Sequence, residues 1–349
     1  MSTPEVRANP MITPNKAGLT KKEYQGSAST LCTGCGHDSV TLHLISAFYE
    51  LDLLPHQVAK FSGIGCSSKT PAYFLAGAHG FNAVHGRMPS VATGAAMANR
   101  SMVNIAVSGD GDTASIGMGQ FVHLIRRNIP LLYIVENNGV YGLTKGQFSA
   151  TSDKGSVQKK GDVNRMNAID LCLLALELGG GFVARSFSGD AKQMTPLVKA
   201  GLSHRGTAVI DVISPCITFN NHEGSTKSYK YVKEKDHAIH EIGFVPSYTP
   251  IDVDYAEGST KVVDLPDGSH ITLKKLDRDY DPTNRQAAFE VLHAAQEKGE
   301  LLTGLFYINP DTVPFQDVEK LAETPLVSLS IDQVKPSKSA LDEVMESLK

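Results

Sequence analysis

Cysteines are the first residues of this 349-residue chain whose chemistry stands out. Cys32 and Cys35 lie three positions apart in LCTGCGHDS, residues 31–39, with glycines around them and His37 just after. Such a pair can bind zinc, hold part of an iron–sulfur cluster, form a redox disulfide or pack as small apolar groups. The other cysteines are far apart in sequence, at Cys66, Cys172 and Cys216. Spacing alone does not decide between these uses.

A second stretch, GDGDTASIGMGQFVHLIRRNIPLLYIVENNGVYGLTKGQ at residues 109–147, suits a phosphate and a cation. Glycines let the backbone approach a diphosphate closely, and the N–H groups of a helix N-terminus favour anionic oxygens. Asp110 and Asn138 follow successive predicted strands, and their oxygens suit Mg²⁺, which often keeps phosphate oxygens in its shell. A helix cap at Asp112 and an asparagine turn are the alternative. The pattern matches neither the dinucleotide-binding G-x-G-x-x-G sequence nor a P-loop.

Regular elements must position these residues, and their patterns alternate. Strand patterns lie at 57–63, 103–112, 131–138 and 207–213, and helical patterns lie at 39–51, 90–100, 118–128 and 168–179. This alternation predicts βαβ units and a parallel sheet, whose ligands bind at the carboxyl ends of the strands. Clusters of glycine and polar residues follow the strand patterns, at 63–69, 109–112, 136–147 and 214–222. We therefore expect these clusters along one edge of the sheet.

The pattern changes after about residue 250. VVDLPDGSHITL, residues 262–273, predicts a β-hairpin with its turn at 266–268, and residues 282–299 predict a helix that ends at Gly299. A strand is predicted at 303–308. We divide the chain into an N-terminal arm (1–27), a cofactor-binding domain (28–250) and a C-terminal extension (251–349).

Composition excludes several classes of function. The net charge is −4 and no run of five like charges occurs, so the sequence lacks the basic surface of a nucleic-acid-binding protein. No apolar run approaches the ~20 residues of a membrane helix, and the N-terminus has no apolar segment of a secretory signal. The odd, widely spaced cysteines differ from a secreted disulfide scaffold, so we expect a soluble, cytoplasmic protein in a reducing compartment. Cys172, among leucines, is predicted to be a buried small hydrophobe.

Residues 109–147 resemble the diphosphate-binding motif of thiamine diphosphate enzymes, which begins with GDG and ends near NN. Together with CTGCGH (32–37), GIGCSSK (63–69) and SPCITFN (214–220), they make the chain similar to the β subunits of 2-oxoacid:ferredoxin oxidoreductases over roughly residues 28–250. The resemblance implies an α/β thiamine diphosphate-binding fold, a parallel sheet with helices on both faces, followed by the C-terminal extension.

The resemblance also implies the cofactors and their ligands. Mg²⁺ would be held by Asp110, Asn138 and the carbonyl of Val140. A [4Fe–4S] cluster would be bound by Cys32, Cys35, Cys66 and Cys216, since four thiolates close such a site. Zinc bound by the same four cysteines is the competing interpretation.

Further site residues are carried over from the family. The expected cofactor contacts are His37, Gly65, Cys66, His85, Arg87, Gly109, Asp110, Gly111, Asp112, Asn138, Val140, Tyr141, Gly142 and Leu143. For His37 the alternative is a capping or solvent-facing histidine, and for His85 and Arg87 it is a helix-entry loop. Lys69 and Lys145 are expected near the substrate, where Leu143 would shape the wall, and solvated surface charges are the alternative. Because a lysine can hold a carboxylate, two of them suit the dicarboxylate 2-oxoglutarate better than pyruvate.

In this family a 2-oxoacid is decarboxylated oxidatively, coenzyme A takes the acyl group and ferredoxin takes the electrons, and the reaction can run backwards to fix CO₂. We expect 2-oxoglutarate and succinyl-CoA, with pyruvate or a broad range of 2-oxoacids as the alternative. Only one cofactor-binding half is evident, so the resemblance implies a separate α subunit, in an (αβ)₂ assembly. Two other classes remain open: a non-oxidative thiamine diphosphate decarboxylase or carboligase, and an iron–sulfur or zinc module without enzymatic activity.

Overall fold

A nine-stranded sheet forms the centre of the computed structural model, which describes residues 11–158, 161–220, 256–264, 270–276 and 280–349. The strands in chain order are β1 (Val58–Ser62), β2 (His79–Asn82), β3 (Val103–Gly109), β4 (Leu131–Asn137), β5 (Val140–Tyr141), β6 (Gln147–Phe148), β7 (Phe182–Phe187), β8 (Thr207–Ile213), β9 (Thr260–Asp264), β10 (His270–Lys275) and β11 (Leu301–Ile308). The α-helices are α1 (Gly36–Glu50), α2 (Met88–Ala98), α3 (Met118–Arg126), α4 (Leu171–Glu177), α5 (Ala191–Ser203), α6 (Arg285–Lys298), α7 (Phe315–Val318), α8 (Ile331–Val334) and α9 (Lys338–Ser347).

The strand order is β2-β1-β3-β4-β8-β7-β11-β10-β9, and β5 and β6 form a separate antiparallel hairpin. The strands from β2 to β7 in this order are parallel to one another, as predicted, whereas β11 is antiparallel to β7. From β1 the chain goes to β2 on one side and then to β3 on the other, so the strand order reverses between β1 and β3. Ligands of such sheets bind beside this reversal, at the carboxyl ends of the strands.

Apolar strands and two layers of helices explain the burial of the sheet. Every residue of β4 is buried, as expected for a parallel strand that is covered on both faces. Helices α1 and α5 pack on one face, and α2, α3, α4 and α6 pack on the other. None of the helices in the described ranges is both long and apolar enough to cross a bilayer.

The four strands and four helices that were predicted before residue 214 are confirmed, with shifts of a few residues at their ends. Strand β7 and helix α5 were not predicted. In β7, the charged Arg185 interrupts the apolar pattern, although it is only 7% exposed. Asp211 accepts a hydrogen bond from Arg185 Nε at 2.9 Å, and Asp170 accepts one from Arg185 Nη2 at 2.8 Å. These two carboxylates allow a cation to lie inside a buried strand.

The C-terminal part continues the main sheet. Strands β9 and β10 pair as a hairpin, and the predicted turn at 266–268 lies outside the described residues. Helix α6 begins after Asn284, whose side chain accepts from the N–H of Ala287 (3.1 Å), and ends at Gly299 with φ 67°. Residues 221–255 also lie outside the described ranges, so the boundary at 250 stays a prediction.

Part of the predicted N-terminal arm packs into the core. Tyr24 is fully buried, its ring meets that of Tyr49 edge-on at 6.0 Å, and its hydroxyl donates to the carbonyl of Leu53 at 2.8 Å. This contact holds the segment around Tyr24 beside α1, the helix that follows the Cys32–Cys35 turn.

Candidate functional site

A cavity opens at the carboxyl ends of β1, β3 and β4, beside the reversal of strand order. Its lining residues are His37, Ile64, Gly65, Cys66, Ser67, His85, Gly109, Asp110, Gly111, Asp112, Glu136, Asn138, Val140, Tyr141, Gly142, Leu143 and Thr144. All the predicted cofactor contacts except Arg87 line this cavity. Arg87 is exposed and precedes the first turn of α2.

Asp110 and Asn138 lie side by side, as expected from neighbouring parallel strands. Asp110 follows β3 directly and is 1% exposed, and its Oδ1 is 3.4 Å from the backbone nitrogen of Asn138. Asn138 follows β4, and its Oδ1 accepts from the N–H of Val140 at 3.1 Å. The carboxylate of Asp110, the side-chain oxygen of Asn138 and the carbonyl of Val140 are hard donors. This set fits Mg²⁺ when phosphate oxygens complete its shell.

The buried carboxylate of Asp112 links several residues around the cavity through hydrogen bonds. It is 3% exposed, and its Oδ1 accepts from the backbone N–H of Gly86 at 2.8 Å and contacts Nδ1 of His85. Its Oδ2 accepts from the hydroxyl of Ser108 at 2.6 Å. A wide π-type turn, Gly111–Ile116, begins directly after Asp110. The predicted helix, α3, follows this turn from Met118 onwards. Asp112 therefore ties the 85–86 loop to the end of β3.

Gly111 is required by the packing of an aromatic ring. A Cβ at this position would lie 2.5 Å from the ring of Tyr141, and the hydroxyl of Tyr141 donates to the carbonyl of Gly111 at 3.0 Å. The ring of Tyr141 thus occupies the space that a side chain would take. Gly111, which was predicted to let the backbone approach a diphosphate, therefore also leaves room for the Tyr141 ring in the cavity wall.

His37 is neither solvent-facing nor a surface cap, which removes one predicted alternative. It is 1% exposed, and its Nδ1 lies 2.6 Å from the hydroxyl of Ser214 and 3.5 Å from Oε2 of Glu136. Burial lowers the pKa of His37 to about 4. Burial also raises the pKa of Glu136 well above its usual value, although the hydroxyl of Thr70 donates to both its oxygens at 3.0 Å. Burial therefore favours the uncharged form of both groups.

Sequence reasoning missed Glu136, which lies at the end of β4 and is fully buried. The available signal was a single acidic residue in the otherwise apolar run LLYIVENN. A carboxyl group in such a run must be buried with a partner or titrate to its neutral form.

Four of the five cysteines form one group next to the cavity. Cys32 and Cys35 close a turn before α1, in which the N–H of Cys35 donates to the carbonyl of Cys32 at 3.0 Å. Cys66 follows β1 and Cys216 follows β8. A Cβ on Gly142 would lie 3.4 Å from the sulfur of Cys66 and 3.8 Å from that of Cys216, so these two thiols meet at one point of the cavity wall. Cys172 lies apart, fully buried in α4, as predicted.

Electrostatic interactions connect the four thiols. Burial raises the pKa of Cys66, and Cys216 and Cys32 add to the rise. Burial also raises the pKa of Cys35, with a smaller contribution from Cys216. The pKa of Cys216 rises through burial, against the N–H groups of three residues that lower it: Phe219, Thr218 and Asn220. Four free thiols, two of them (Cys35 and Cys216) facing backbone donors, are a donor set that fits an iron–sulfur cluster.

Of the three predicted substrate residues, one lines the cavity. Leu143 lines the cavity and is 50% exposed. Lys69 precedes Thr70, and its Nζ lies 3.4 Å from the hydroxyl of Thr30. Lys145 is exposed and has φ 77°. Neither lysine is among the residues that line the cavity, so their role stays a prediction.

Two models of known families match the chain. Residues 63–212 match the C-terminal TPP-binding domain of thiamine pyrophosphate enzymes, and residues 271–323 match the C-terminal part of the pyruvate ferredoxin oxidoreductase β subunit. The first range contains the cavity loops after β1, β3 and β4. The cavity therefore lies in a thiamine diphosphate-binding domain, which confirms the predicted fold class.

Curated relatives agree with both matches. Subunit beta of 2-oxoacid:ferredoxin oxidoreductase 1 from Aeropyrum pernix is 38% identical over 67% of this chain and 71% of the relative. The corresponding subunit from Saccharolobus solfataricus is 40% identical over 63% and 70%. The 2-oxoglutarate oxidoreductase subunit KorB from Mycobacterium tuberculosis is 40% identical over 54% and 51%.

A solved structure has the same fold along nearly the whole chain. It is the 2-oxoglutarate:ferredoxin oxidoreductase from Magnetococcus marinus with 2-oxoglutarate, coenzyme A and succinyl-CoA bound. The TM-score is 0.73 at 26% identity, over 95% of this chain and 96% of the matched one.

Proposed function

The chain belongs to the family of 2-oxoacid:ferredoxin oxidoreductase β subunits, and we propose that it acts with an α subunit as a 2-oxoglutarate:ferredoxin oxidoreductase. The complex would convert 2-oxoglutarate and coenzyme A to succinyl-CoA and CO₂, with two electrons passing to ferredoxin, and it would also run in reverse. The observation that carries the proposal is the adjacency of two sites. Gly142 lines the cavity that holds Asp110 and Asn138, and it also faces the sulfurs of Cys66 and Cys216.

In this proposal, Asp110, Asn138 and the carbonyl of Val140 would hold Mg²⁺ and, with it, the diphosphate in the cavity. Thiamine diphosphate supplies the decarboxylation chemistry when it is bound. Burial of Asp110, Asp112 and Glu136 excludes water from the floor of the site. Tyr141 and Leu143 form the wall on the side of the substrate.

Cys32, Cys35, Cys66 and Cys216 bind a [4Fe–4S] cluster in this proposal. The sulfurs of Cys66 and Cys216 lie close to the same residue, Gly142, and the thiols of Cys32 and Cys35 interact electrostatically with this pair, which supports one cluster held by all four thiolates. A cluster next to the cavity favours oxidative decarboxylation over a non-oxidative reaction.

An α subunit completes the site in this proposal, in an (αβ)₂ assembly. Three apolar side chains are exposed on the loops of the site: Leu143 (50%) lines the cavity, Val84 (71%) precedes the lining residue His85, and Ile116 (49%) ends the π-type turn after Asp110. Such side chains next to a polar cavity suit coverage by another chain. The five free cysteines further support a reducing compartment such as the cytoplasm.

The substrate preference rests on Lys69 and Lys145, which would hold the distal carboxylate of 2-oxoglutarate. The test is a panel of 2-oxoacids on the αβ complex with coenzyme A, with viologen as electron acceptor. We expect kcat/KM to be highest for 2-oxoglutarate. Lys69→Ala and Lys145→Ala should each raise KM for 2-oxoglutarate about tenfold while KM for pyruvate stays the same, because a lysine–carboxylate contact contributes ~1–2 kcal/mol.

The exposed Lys154 provides the matched control, and Lys154→Ala should leave both KM values unchanged. Equal rates with pyruvate and 2-oxoglutarate would replace the proposal by a broad-specificity enzyme. Unchanged kinetics in both lysine variants would return these residues to the surface-charge alternative.

A further inference from the structure

The carboxylate of Asp110 is held by a short turn that no prediction from the sequence included. This turn, residues 149–152, is buried, with Ser149 at 5% and Thr151 at 1% exposure. The hydroxyl of Thr151 donates to Oδ2 of Asp110 at 2.6 Å, and the hydroxyl of Ser149 contacts the same oxygen. Two buried hydroxyls therefore converge on one oxygen of the carboxylate.

The turn is itself fixed to the loop after β4. The N–H of Ser152 donates to the carbonyl of Ser149 at 3.1 Å, and the N–H of Ser149 donates to the hydroxyl of Ser152 at 2.9 Å. The hydroxyl of Ser152 donates to the carbonyl of Gly139, and Nδ2 of Asn164 donates to the carbonyl of Ser152 at 2.9 Å. The turn and the Asn138–Gly139 loop are thus one hydrogen-bonded unit.

A buried network of polar side chains, made by Asn137, Asp211 and Arg185, adjoins the same unit. Oγ1 of Thr151 lies 3.0 Å from Oδ1 of Asn137, and Nδ2 of Asn137 donates to Oδ1 of Asp211 at 2.9 Å. Arg185 donates to the other oxygen of Asp211 at 2.9 Å. The first asparagine of the NN pair therefore belongs to the support of the site, whereas the second faces Asp110.

We propose that Ser149 and Thr151 are positioning residues that orient Asp110 for Mg²⁺. The terminal torsion of an aspartate is broad, so a carboxylate without partners samples many orientations. With both hydroxyls on Oδ2, the other oxygen, Oδ1, is directed to the side of Asn138. Hydrogen bonds to a ligating carboxylate typically change metal affinity 10–100-fold, roughly, when they are lost. The inference rests on the proposed function, since it requires Asp110 to be a magnesium ligand.

The test is the Mg²⁺ affinity of the αβ complex, depleted of metal and saturated with thiamine diphosphate, measured by calorimetry. Thr151→Val keeps the shape and removes the hydroxyl, and we expect it to raise the Kd for Mg²⁺ roughly tenfold. Ser149→Ala should raise it less, because Thr151 still holds Oδ2, and the double variant should raise it more than either. Thr151→Ser keeps a hydroxyl and should restore the wild-type Kd to within about twofold.

Thr207→Val is the matched control. Its hydroxyl is fully buried and donates to the carbonyl of Ile129 at 2.7 Å, at the opposite edge of the sheet. It therefore loses a comparable hydrogen bond away from the site, and its Kd for Mg²⁺ should match the wild type. A purely structural role of Thr151 would instead lower thermal stability in both valine variants and leave the Kd unchanged.

The outcomes separate the two claims. If the wild-type complex binds no Mg²⁺, the proposed function fails. If the wild type binds and the double variant binds equally well, the positioning role is wrong. If Thr151→Val does not fold, Ser149→Ala and the double variant Ser149→Ala/Thr151→Ser are measured instead. A higher Kd for Mg²⁺ in Ser149→Ala supports the positioning role, and a wild-type Kd in both variants overturns it.

Discussion

At the scale of single residues, Gly142 lies where two kinds of chemistry meet. It lines the cavity together with the oxygen donors Asp110 and Asn138, and it also faces the sulfurs of Cys66 and Cys216. A Cβ at this position would lie at van der Waals distance from both sulfurs, so the backbone of Gly142 is in close contact with the thiols. Short separation favours electron transfer from the cavity to a cluster.

The four grouped cysteines should behave differently from the fifth. We expect Cys216→Ser to remove the visible absorption of an iron–sulfur cluster and most of the bound iron, because an alcohol is a poor ligand for iron. Cys172→Ser should keep both, since Cys172 lies in α4, where its thiol donates to the carbonyl of Ala184 at 3.5 Å and a hydroxyl can do the same. The measurement is an absorption spectrum with iron and zinc analysis of anaerobically purified protein. A colourless Cys172→Ser variant, or an unchanged Cys216→Ser variant, would contradict the assignment.

The buried carboxyl of Glu136 should make stability depend on pH. Its folded-state pKa is raised above the usual 4.5 by burial, so the folded chain binds the proton more tightly than the unfolded chain. The contribution is fully present below about pH 4.5 and is lost as pH rises towards the folded-state pKa, by at most about 1.4 kcal/mol per pH unit. Glu136→Gln can still accept from Thr70 and does not titrate, so it should gain stability relative to wild type from pH 5 to 8.

Thermal or denaturant unfolding of the isolated chain without cofactors, at several pH values, measures this effect. Glu297→Gln, on the exposed side of α6, is the control and should give the wild-type profile. A stability difference between Glu136→Gln and wild type that does not grow with pH would show that Glu136 is ionised in the folded chain.

Sequence could identify the ligating residues but not the residues that support them. The cysteines, Asp110 and Asn138 stand in motifs with local spacing, so a resemblance carries them over. Ser149 and Thr151 act through hydrogen bonds to Asp110, about forty positions away, and nothing in the GQFSATS sequence indicates that contact. Such support becomes visible only when the chain is folded.

At the scale of elements, the carboxyl ends of four neighbouring strands form the site. In the sheet, β1, β3, β4 and β8 stand next to one another, and they deliver Cys66, Asp110, Asn138 and Cys216. Hydrophobic patterns predicted these strands because they are apolar and continuous. The patterns did not predict β7, because its Arg185 is compensated by acidic residues of other elements, nor β2, whose residues are all exposed.

The turn after β3 should tolerate no side chain at Gly111. We expect Gly111→Ala to cost ~1–3 kcal/mol of unfolding free energy, the usual cost of overpacking, because its Cβ meets the ring of Tyr141 at 2.5 Å. Thiamine diphosphate binding should weaken as well, because Tyr141 would leave the cavity wall. Both effects can be followed by denaturant unfolding and by calorimetry.

Gly119 provides the matched control in the next helix, α3. Within the described ranges, and apart from the backbone of its own helix and its chain neighbours, no atom lies within 4 Å of the position of its Cβ, so Gly119→Ala should be neutral or stabilise the helix by up to ~1 kcal/mol. Equal stability of the two alanine variants would show that Tyr141 is not packed against Gly111.

At the scale of the whole molecule, the proposed function makes the chain one half of a composite site. The floor of the cavity is buried and polar, Leu143 in its lining is half-exposed, and Val84 and Ile116 are exposed on neighbouring loops. The resemblance in the motifs predicted both the fold class and this division of labour. The extension of the sheet by β11 could not be predicted, since its pairing with β7 joins segments more than a hundred residues apart.

The account requires electrons to leave the 2-oxoacid through the thiols of this chain. The most direct measurement is the visible spectrum of the anaerobic αβ complex, loaded with thiamine diphosphate and Mg²⁺, before and after 2-oxoglutarate and coenzyme A are added. We predict a brown complex whose cluster absorption bleaches on addition and recovers when oxidised ferredoxin is supplied, while the isolated chain shows cluster absorption that does not respond. A colourless, zinc-containing complex, or a cluster that 2-oxoglutarate leaves oxidised, would contradict the account.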